Sequence, residues 1–246
     1  MNPPPRLKAE VPLRLPDPLA EGLSLLCDND PDIAGIVAPR QGEIMSLLAK
    51  FIDEIERRNP ALSLVGASDR RELVVRHMLD SLAALGIMLR KCDCQHACDN
   101  LRIADIGSGA GLPGIPLAIA LPNSQFTLIE RMGRRAGFLR EVQASLGLAN
   151  VTVEEQQMER TKPGRFSLVT FRAFRPLEAK IYKKLSRLCC EGGVLAAYKG
   201  RHLKAEAEMA SLQKALPALA GRWELVPCPV PLLDEERHIL LIRKNP

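Results

Sequence analysis

The residues best suited to chemistry form a glycine-rich loop that follows a short apolar run. Asp105 comes near the end of that run, and Gly107, Gly109 and Gly111 follow at alternate positions. Glycines let the backbone turn tightly and let a ligand approach the main chain, because no Cβ stands in the way. Pro113 then suits the first turn of a helix, where a missing N–H costs no hydrogen bond. An apolar run, a glycine loop and a helix in this order predict a site for a nucleoside-containing ligand.

Two classes of ligand fit this loop. The run from Gly109 to Gly114 matches the dinucleotide fingerprint, with Glu130 about 20 residues further on as a carboxylate for the ribose. An acidic residue directly before the glycines, here Asp105, resembles instead the first motif of methyltransferases that use S-adenosylmethionine (SAM). In both classes, the carboxylate of Glu130 would accept hydrogen bonds from ribose hydroxyls. We favour SAM, bound at Gly107, Gly109 and Glu130, and keep an NAD(P)-dependent oxidoreductase as the alternative.

Hydrophobic periodicity predicts the elements that hold this loop. Apolar runs predict strands, and helical stretches lie between them, so the predicted order is 101–106, helix 113–120, 126–129, helix 134–146, 151–153, 166–169, helix 176–190, 194–198 and helix 203–216. Alternation of this kind implies right-handed crossovers and a parallel sheet. Two last strands, 223–226 and 238–242, have no helix between them, which permits an antiparallel pair. We therefore predict an α/β, Rossmann-like methyltransferase fold with seven strands, mostly parallel, and an antiparallel last strand.

Three regions follow one another along the chain. Residues 1–40 contain eight of the 19 prolines, which predicts an irregular extension with at most a short helix over 18–27. Residues 41–95 form a predicted helical region, because apolar residues recur at three- and four-residue spacing from position 44 to position 55 and a second helix is predicted over 69–89. Residues 96–246 form the predicted methyltransferase domain.

Composition excludes several classes of protein. Lys and Arg outnumber Asp and Glu by 34 to 29, while aromatic residues make up only 4% of the 246 residues, too few for a base-stacking platform. The seven cysteines are an odd number in a large chain, which indicates reduced thiols and a cytoplasmic protein. The uncharged stretch 106–129 is interrupted by four glycines and three prolines, so we predict no membrane span.

Several blocks, in order, resemble one bacterial family. The sequence is similar to the small-subunit ribosomal RNA methyltransferase G family, also called GidB, in VRHMLDSL (75–82), ADIGSGAGLPGIPLAI (104–119), FTLIERMGRRAGFLREV (126–142), FRAF (171–174), AAYKG (196–200) and LLDEERHILLI (232–242). The resemblance covers the chain from about residue 41 onwards. It implies methyl transfer from SAM to N7 of a guanine in the decoding-region loop of 16S rRNA, with 16S rRNA or the small ribosomal subunit as partner and a monomeric enzyme.

The resemblance also implies roles for single residues. It places cofactor contacts on Gly107 and Leu112 in the loop, on Met158 and Glu159 after the third strand, and on Arg172 after the fourth. Glu159 would accept from the adenine amino group, while a backbone N–H near Met158 donates to a ring nitrogen. Arg172 would face the methionine carboxylate or the RNA. The sequence departs from the family pattern at Arg58, Ser63 and Val65, which puts the contribution of that segment in doubt.

Methylation of guanine N7 needs no general base, because this nitrogen carries a free lone pair. The sequence agrees, since Phe171-Arg172-Ala173-Phe174 stands where exocyclic-amine methyltransferases carry an amide or acid followed by Pro-Pro and an aromatic residue. Arg172 and Lys199 are predicted to position the guanine through its O6, the edge that cationic donors recognise. A phenylalanine would stack on the extracted base. The competing functions are methylation of a small molecule or protein, and RNA binding without catalysis.

Two basic segments flank the predicted pocket. Nine basic residues and one acid lie between Arg160 and Arg187, and a second group follows the second strand at Arg131, Arg134, Arg135 and Arg140. Charge runs are often only solvated faces. Beside a pocket for RNA, they predict phosphate contacts and binding that weakens steeply with salt.

Three other patterns are not favoured as sites. The spacing Cys92-x-Cys94-x-His96-x-Cys98 lacks a second metal-binding half, so we predict no metal. Cys228, between two prolines, is predicted to be a buried thiol. His77 lies close to Asp80 and Ser81, but nothing else supports a hydrolytic triad, so helix packing or a role near the pocket is favoured.

Overall fold

Seven strands form one sheet in the computed structural model, which describes residues 17–92, 100–173 and 176–244. The strands are β1 (Arg102–Ile106), β2 (Gln125–Glu130), β3 (Val151–Glu155), β4 (Phe166–Phe171), β5 (Cys189–Lys199), β6 (Trp223–Pro227) and β7 (His238–Arg243). Their order is β3-β2-β1-β4-β5-β7-β6, and β7 alone of these seven runs antiparallel to its neighbours. The predicted α/β methyltransferase fold is confirmed.

Helices cover both faces of the sheet. They are α1 (Pro18–Asn29), α2 (Pro31–Val37), α3 (Gln41–Leu62), α4 (Arg70–Leu73), a π-helical segment (Val74–Leu79), α5 (Asp80–Ala83), α6 (Leu85–Lys91), α7 (Gly114–Ala120), α8 (Gly133–Leu146), α9 (Ala179–Ser186) and α10 (His202–Ala215). One apolar core joins α1–α8 to one face, and a second joins α9 and α10 to the other. In the described ranges, no helix has both the length and the apolar character needed to cross a membrane.

The short helix allowed over 18–27 is confirmed as α1, whereas the irregular structure predicted for residues 28–40 is wrong. Pro18 and Pro31 open α1 and α2 instead of breaking them, and the side chains of Asp17 and Asp30 cap the two helices. Residues 1–16 lie outside the described ranges, as does the predicted domain boundary after residue 95. The single helix predicted over 69–89 is interrupted by the π-helical segment and divided into shorter pieces.

Strand order positions the functional region. The chain runs from β1 outward to β2 and β3, then returns to β4 on the other side of β1. Where the order reverses, the loops at the carboxyl ends of the strands diverge and leave a crevice. The carboxyl ends of β1, β2, β4 and β5 bring the predicted site segments to this single edge.

Candidate active site

The glycine loop after β1 has the backbone conformation that its glycines permit. Gly107, Gly109 and Gly111 have φ values of +70°, +55° and +86°, in the left-handed region where L side chains are strained. The Gly107 N–H donates to the Ile129 carbonyl at 2.8 Å, which ties the loop to the end of β2. A Cβ at Gly111 would lie 2.7 Å from Cγ1 of Ile115, so the helix after the loop packs too closely for a side chain here.

Glu130 ends β2 and turns its carboxylate towards this loop. It is buried, and its two oxygens accept from the N–H of Gly109 at 3.0 Å and of Met132 at 2.8 Å. Each oxygen keeps a lone pair for a further donor. The side chain lines a cavity of about 400 Å³, which we call the Glu130 cavity.

Met158 and Glu159 lie across the Glu130 cavity from the loop, in a 3₁₀ turn after β3. The Arg187 guanidinium donates to the carbonyls of Met158 and Glu159 at 3.3 and 3.0 Å and so holds the turn. The Glu159 carboxylate accepts from the Lys184 ammonium at 2.6 Å, and Lys184 lines the same cavity. The Glu130 cavity therefore brings together four residues predicted to contact the cofactor: Gly107, Glu130, Met158 and Glu159. It adds Lys184, which the sequence did not indicate as a site residue.

A second cavity of about 610 Å³ adjoins the first, and we call it the Arg172 cavity. Gly107, Arg135 and Ala173 line both, so the two cavities are adjacent. The predicted residues at the Arg172 cavity are Gly109, Leu112, Arg172 and Lys199. The phenylalanine predicted to stack on the base was not specified; Phe171 is buried at the end of β4, and Phe174 lies outside the described residues.

Arg172 is held by the helical region that precedes the sheet. Its guanidinium donates to Asp80 Oδ2 at 2.8 Å, to the Arg76 carbonyl at 3.2 Å and to His77 Nδ1 at 2.9 Å. Asp80 is buried and its other oxygen lies 3.5 Å from Nε of Arg237, which also lines the cavity. Burial raises the pKa of Asp80, and the two guanidiniums offset part of that rise.

His77, Asp80 and Ser81 do not form a hydrolytic triad. Burial and the nearby Arg172 lower the pKa of His77 to about 4, so the ring is neutral at pH 7 and its Nδ1 accepts from Arg172. The Ser81 hydroxyl donates to the His77 carbonyl at 2.5 Å. His77 lines the Arg172 cavity, so it lies near the predicted pocket, and its role there stays a prediction.

Lys199 stands at the end of β5 with its charge already paired. Its ammonium donates to Glu208 Oε1 at 2.6 Å. It lines the Arg172 cavity and also a third cavity of about 560 Å³ between β5 and α10, the α10 cavity. An ammonium has three N–H donors, so donors beyond the one to Glu208 remain for a ligand.

Asp105 lies beneath the glycine loop and is 1% exposed. Its Oδ2 accepts from the Gly114 N–H at 3.1 Å. Its Oδ1 is buried and finds no hydrogen-bond partner in the part of the chain that the structure describes. Burial raises the pKa of this carboxyl to about 7.

The segment that departs from the family pattern reaches the site. Leu64 and Val65 line the Arg172 cavity, and the Asn59 side chain holds them by accepting from their N–H groups at 2.7 and 3.0 Å. Ser63 has φ of +46°, and its carbonyl accepts from Arg135 at 3.4 Å. Arg58 points to the other side of α3 and pairs with Glu141.

Two further candidates from the sequence are Cys228 and the Cys92–Cys98 segment. Cys228 is buried, as predicted, and burial raises the pKa of its thiol to about 12. Cys94, His96 and Cys98 lie outside the described residues. Within those residues, no three His, Cys, Asp or Glu side chains are grouped to hold a metal ion.

Sequence reasoning missed most of the residues that surround Arg172. Arg76, Asp80 and Arg237 occur in blocks that support the family resemblance, but their spacing suggests no common site. Tyr198, whose hydroxyl donates to the Ser81 carbonyl at 2.6 Å, was also part of such a block. Only the fold brings these four to one cavity.

Solved structures with the same architecture define the class. The fold matches a tRNA (m1A58) methyltransferase from Aquifex aeolicus, with a TM-score of 0.50, 14% identity, and coverage of 68% of this chain and 69% of that one. It also matches a Methanococcus maripaludis protein assigned as an S-adenosyl-L-methionine-dependent methyltransferase, with a TM-score of 0.50, 13% identity, and coverage of 79% and 92%. The fold, with its glycine loop and acidic strand ends, is that of the SAM-dependent methyltransferases.

Sequence comparison narrows the class to one family. The family model GidB, described as rRNA small subunit methyltransferase G, matches residues 44–228. Ribosomal RNA small subunit methyltransferase G of Treponema pallidum (strain Nichols) is 35% identical over 229 residues, which cover 91% of this chain and 92% of the relative. That of Stenotrophomonas maltophilia is 38% identical over 196 residues, covering 79% and 84%. The chain belongs to the GidB family, and the NAD(P)-dependent oxidoreductase alternative is therefore set aside.

Proposed function

We propose that this enzyme transfers a methyl group from SAM to N7 of a guanine in the decoding-region loop of 16S rRNA. The observation that carries the proposal is the pair of adjacent cavities, with a nucleoside-sized recess at Glu130 and a cation-lined recess at Arg172. Membership of the GidB family supports rRNA of the small subunit as the substrate. On the same grounds we predict a monomer that acts in the cytoplasm.

The residues around the Glu130 cavity fit SAM. Glu130 would accept from two ribose hydroxyls, Glu159 from the adenine amino group, and the backbone at Met158 would donate to a ring nitrogen. The unpartnered oxygen of Asp105 would accept from the methionine ammonium. Gly107 and Gly109, with Leu112 beside them, would border the methionine portion where the two cavities meet.

The proposed reaction requires the protein to orient the two reactants and requires no general base. Bound SAM supplies an electrophilic methyl group, and guanine N7 already carries the lone pair that attacks it. Holding the two reactants in line can contribute roughly 7–11 kcal/mol of barrier reduction. Arg172 uses three of its N–H donors on Asp80, His77 and Arg76, and a guanidinium has five. We propose that Arg172 and Lys199 position the guanine with their remaining donors.

The predicted basic run contributes to RNA binding only in part. Arg165 pairs with Glu154 at 2.7 Å and Lys184 with Glu159 at 2.6 Å, so these charges are compensated within the protein. Exposed cations remain on the turn after β3, on α9 and at the start of α8, and we propose these as phosphate contacts: Arg131, Arg134, Arg160, Lys162, Lys180 and Lys183. Arg175 lies outside the described residues.

The proposal is tested with purified protein, labelled SAM and small-subunit RNA. We expect label in the RNA, with nucleoside digestion giving 7-methylguanosine from one position in the decoding-region loop. Naked 16S rRNA and assembled subunits are compared in parallel. Label at another atom, or no label with either RNA, would contradict the proposal.

A further inference from the structure

A carboxylate on α10 joins two segments that border the Arg172 cavity. Oε1 of Glu208 accepts from the Lys199 ammonium and from the Leu177 N–H, each at 2.6 Å. Lys199 is the last residue of β5, and Leu177 lies in the connection from β4 to α9, which begins with Arg172. A carboxylate oxygen carries two lone pairs, so one atom can accept both bonds. Glu208 therefore holds the segment that follows β4 and the end of β5 at one point.

The ion pair between Glu208 and Lys199 is mostly buried. Their side chains are 20% and 14% exposed, whereas Glu206, two residues earlier on α10, is 56% exposed and lies 3.6 Å from the His202 ring. A buried pair adds little net stability, because the cost of removing two charges from water offsets their attraction. What the pair does supply is a fixed geometry for Lys199, which lines the Arg172 cavity.

The elements that carry Glu208 and Leu177 pack in the core. Ala205, Met209 and Leu212 bury one face of α10, and Glu208 directly precedes Met209. Leu177 is 1% exposed and belongs to the same apolar core as Met209. The N–H of a buried residue needs an acceptor, and Glu208 supplies it. The carboxylate therefore extends from a packed helix, which restricts where it can lie.

We propose that Glu208 is a positioning residue for methyl transfer. It holds the Lys199 ammonium, and through Leu177 the connection that carries Arg172, in the arrangement that receives the target guanine. This rests on the proposed function, which assigns Lys199 and Arg172 to the base. A lysine ammonium on its flexible stem takes many positions when it has no partner. With one N–H on Glu208, Lys199 offers its other donors to the guanine from a defined position.

The test measures transfer of labelled methyl from SAM to small-subunit RNA by the full chain. Glu208→Gln keeps an oxygen for the Leu177 N–H but removes the charge opposite Lys199. We expect kcat to fall about tenfold and KM for SAM to change by less than about twofold, because the base loses its orientation while the cofactor cavity is unaltered. In a Lys199→Gln background, the same substitution should cost less than about twofold, since its effect acts through the ammonium. Glu206→Gln, which changes an exposed carboxylate on the same helix, is the matched control and should behave like the wild type.

Two measurements on the free protein do not depend on the RNA. Hydrogen exchange at the Leu177 amide should be about tenfold faster in Glu208→Ala, which has no acceptor, and close to the wild-type rate in Glu208→Gln. Acylation of Lys199 by an amine-reactive ester, followed by peptide mass spectrometry, should be faster in both variants, because the amine has lost its carboxylate partner.

These outcomes separate the positioning role from the proposed function. Wild-type kcat in Glu208→Gln, or an equal loss with and without Lys199, would overturn the positioning role. Wild-type acylation of Lys199 in both variants would also overturn it. If the wild type methylates another atom or leaves the RNA unlabelled, the N7 proposal fails, and Lys199 acylation together with Leu177 exchange still decides whether Glu208 holds both segments.

Discussion

The Glu130 and Arg172 cavities share a wall but are built in different ways. The Glu130 cavity is formed largely by the ends of three consecutive strands, where main-chain N–H groups and short turns hold the ligating atoms. The Arg172 cavity depends on side chains from distant parts of the chain, with Asp80 at its centre. The difference indicates that the cofactor half is encoded locally, whereas the substrate half exists only when the helical region packs against the edge of the sheet.

The largest effect is expected from Asp80→Asn, which disrupts the Arg172 cavity and leaves the Glu130 cavity intact. Asp80→Asn removes a buried carboxylate that compensates Arg172 and Arg237, and loss of one partner of a buried pair costs about 3–5 kcal/mol of stability. Urea unfolding should show this fall. Methyl transfer should be lost while the remaining folded protein still binds SAM. Glu141→Gln, which breaks the exposed pair with Arg58, is the control and should have a much smaller effect.

The next change breaks the Glu130 side. Glu130→Ala removes the acceptor proposed for two ribose hydroxyls, and hydrogen bonds to a charged group contribute about 1.5–3 kcal/mol each. Calorimetry should show SAM affinity reduced by about a hundredfold or more. Glu155→Ala, on the adjacent strand end, removes an exposed carboxylate paired with Arg140 and should bind SAM like the wild type. Unchanged affinity in Glu130→Ala would exclude the proposed ribose contact.

A pH titration sharpens the contrast between binding and chemistry. Burial raises the pKa of Asp105 to about 7, and only the ionised carboxylate can bind an ammonium. SAM affinity should therefore rise with pH, level off above about pH 8 and be about tenfold lower at pH 6 than at pH 8. His77, with a pKa of about 4, stays neutral in this range. A SAM affinity that does not change with pH would show that Asp105 does not contact the ammonium group.

A smaller effect is expected from one exposed cation on the RNA side. Lys183→Gln should weaken RNA binding about threefold and reduce the slope of log affinity against log salt by about one phosphate contact. Lys214→Gln, at the far end of α10, is the matched exposed control. Equal slopes in the two variants would show that α9 is not part of the RNA-binding surface.

The last prediction is that pH has almost no effect on kcat. With SAM and RNA saturating, kcat should be nearly flat between pH 6 and pH 9, because N7 has no proton to lose and the described site needs no base. The measurement is single-turnover transfer across that range. A bell-shaped profile centred near neutrality would require a titrating catalytic group.

Sequence alone predicted what depends on neighbouring residues. The glycine loop after a strand, the mostly parallel sheet and its antiparallel last strand follow from short patterns, and they are confirmed. The cofactor role of Glu130 stays a prediction. Pro18 and Pro31 counted as evidence for irregular structure, but each lies in the first turn of a helix. Proline disrupts a helix interior but suits its first turn. The partners of Arg172 could not be predicted, since Asp80 and His77 lie 92 and 95 residues away in the chain. Contacts at such separations are set by packing, which no local pattern encodes.

The product of the proposed reaction is one modified base in 16S rRNA. The most direct measurement compares 16S rRNA from cells with and without this protein, by nucleoside analysis and mapping of the decoding-region loop. We predict that the cells without it lack one 7-methylguanosine, and that the intact chain restores it while Glu130→Ala does not. A full complement of 7-methylguanosine in the cells without the protein would contradict the account.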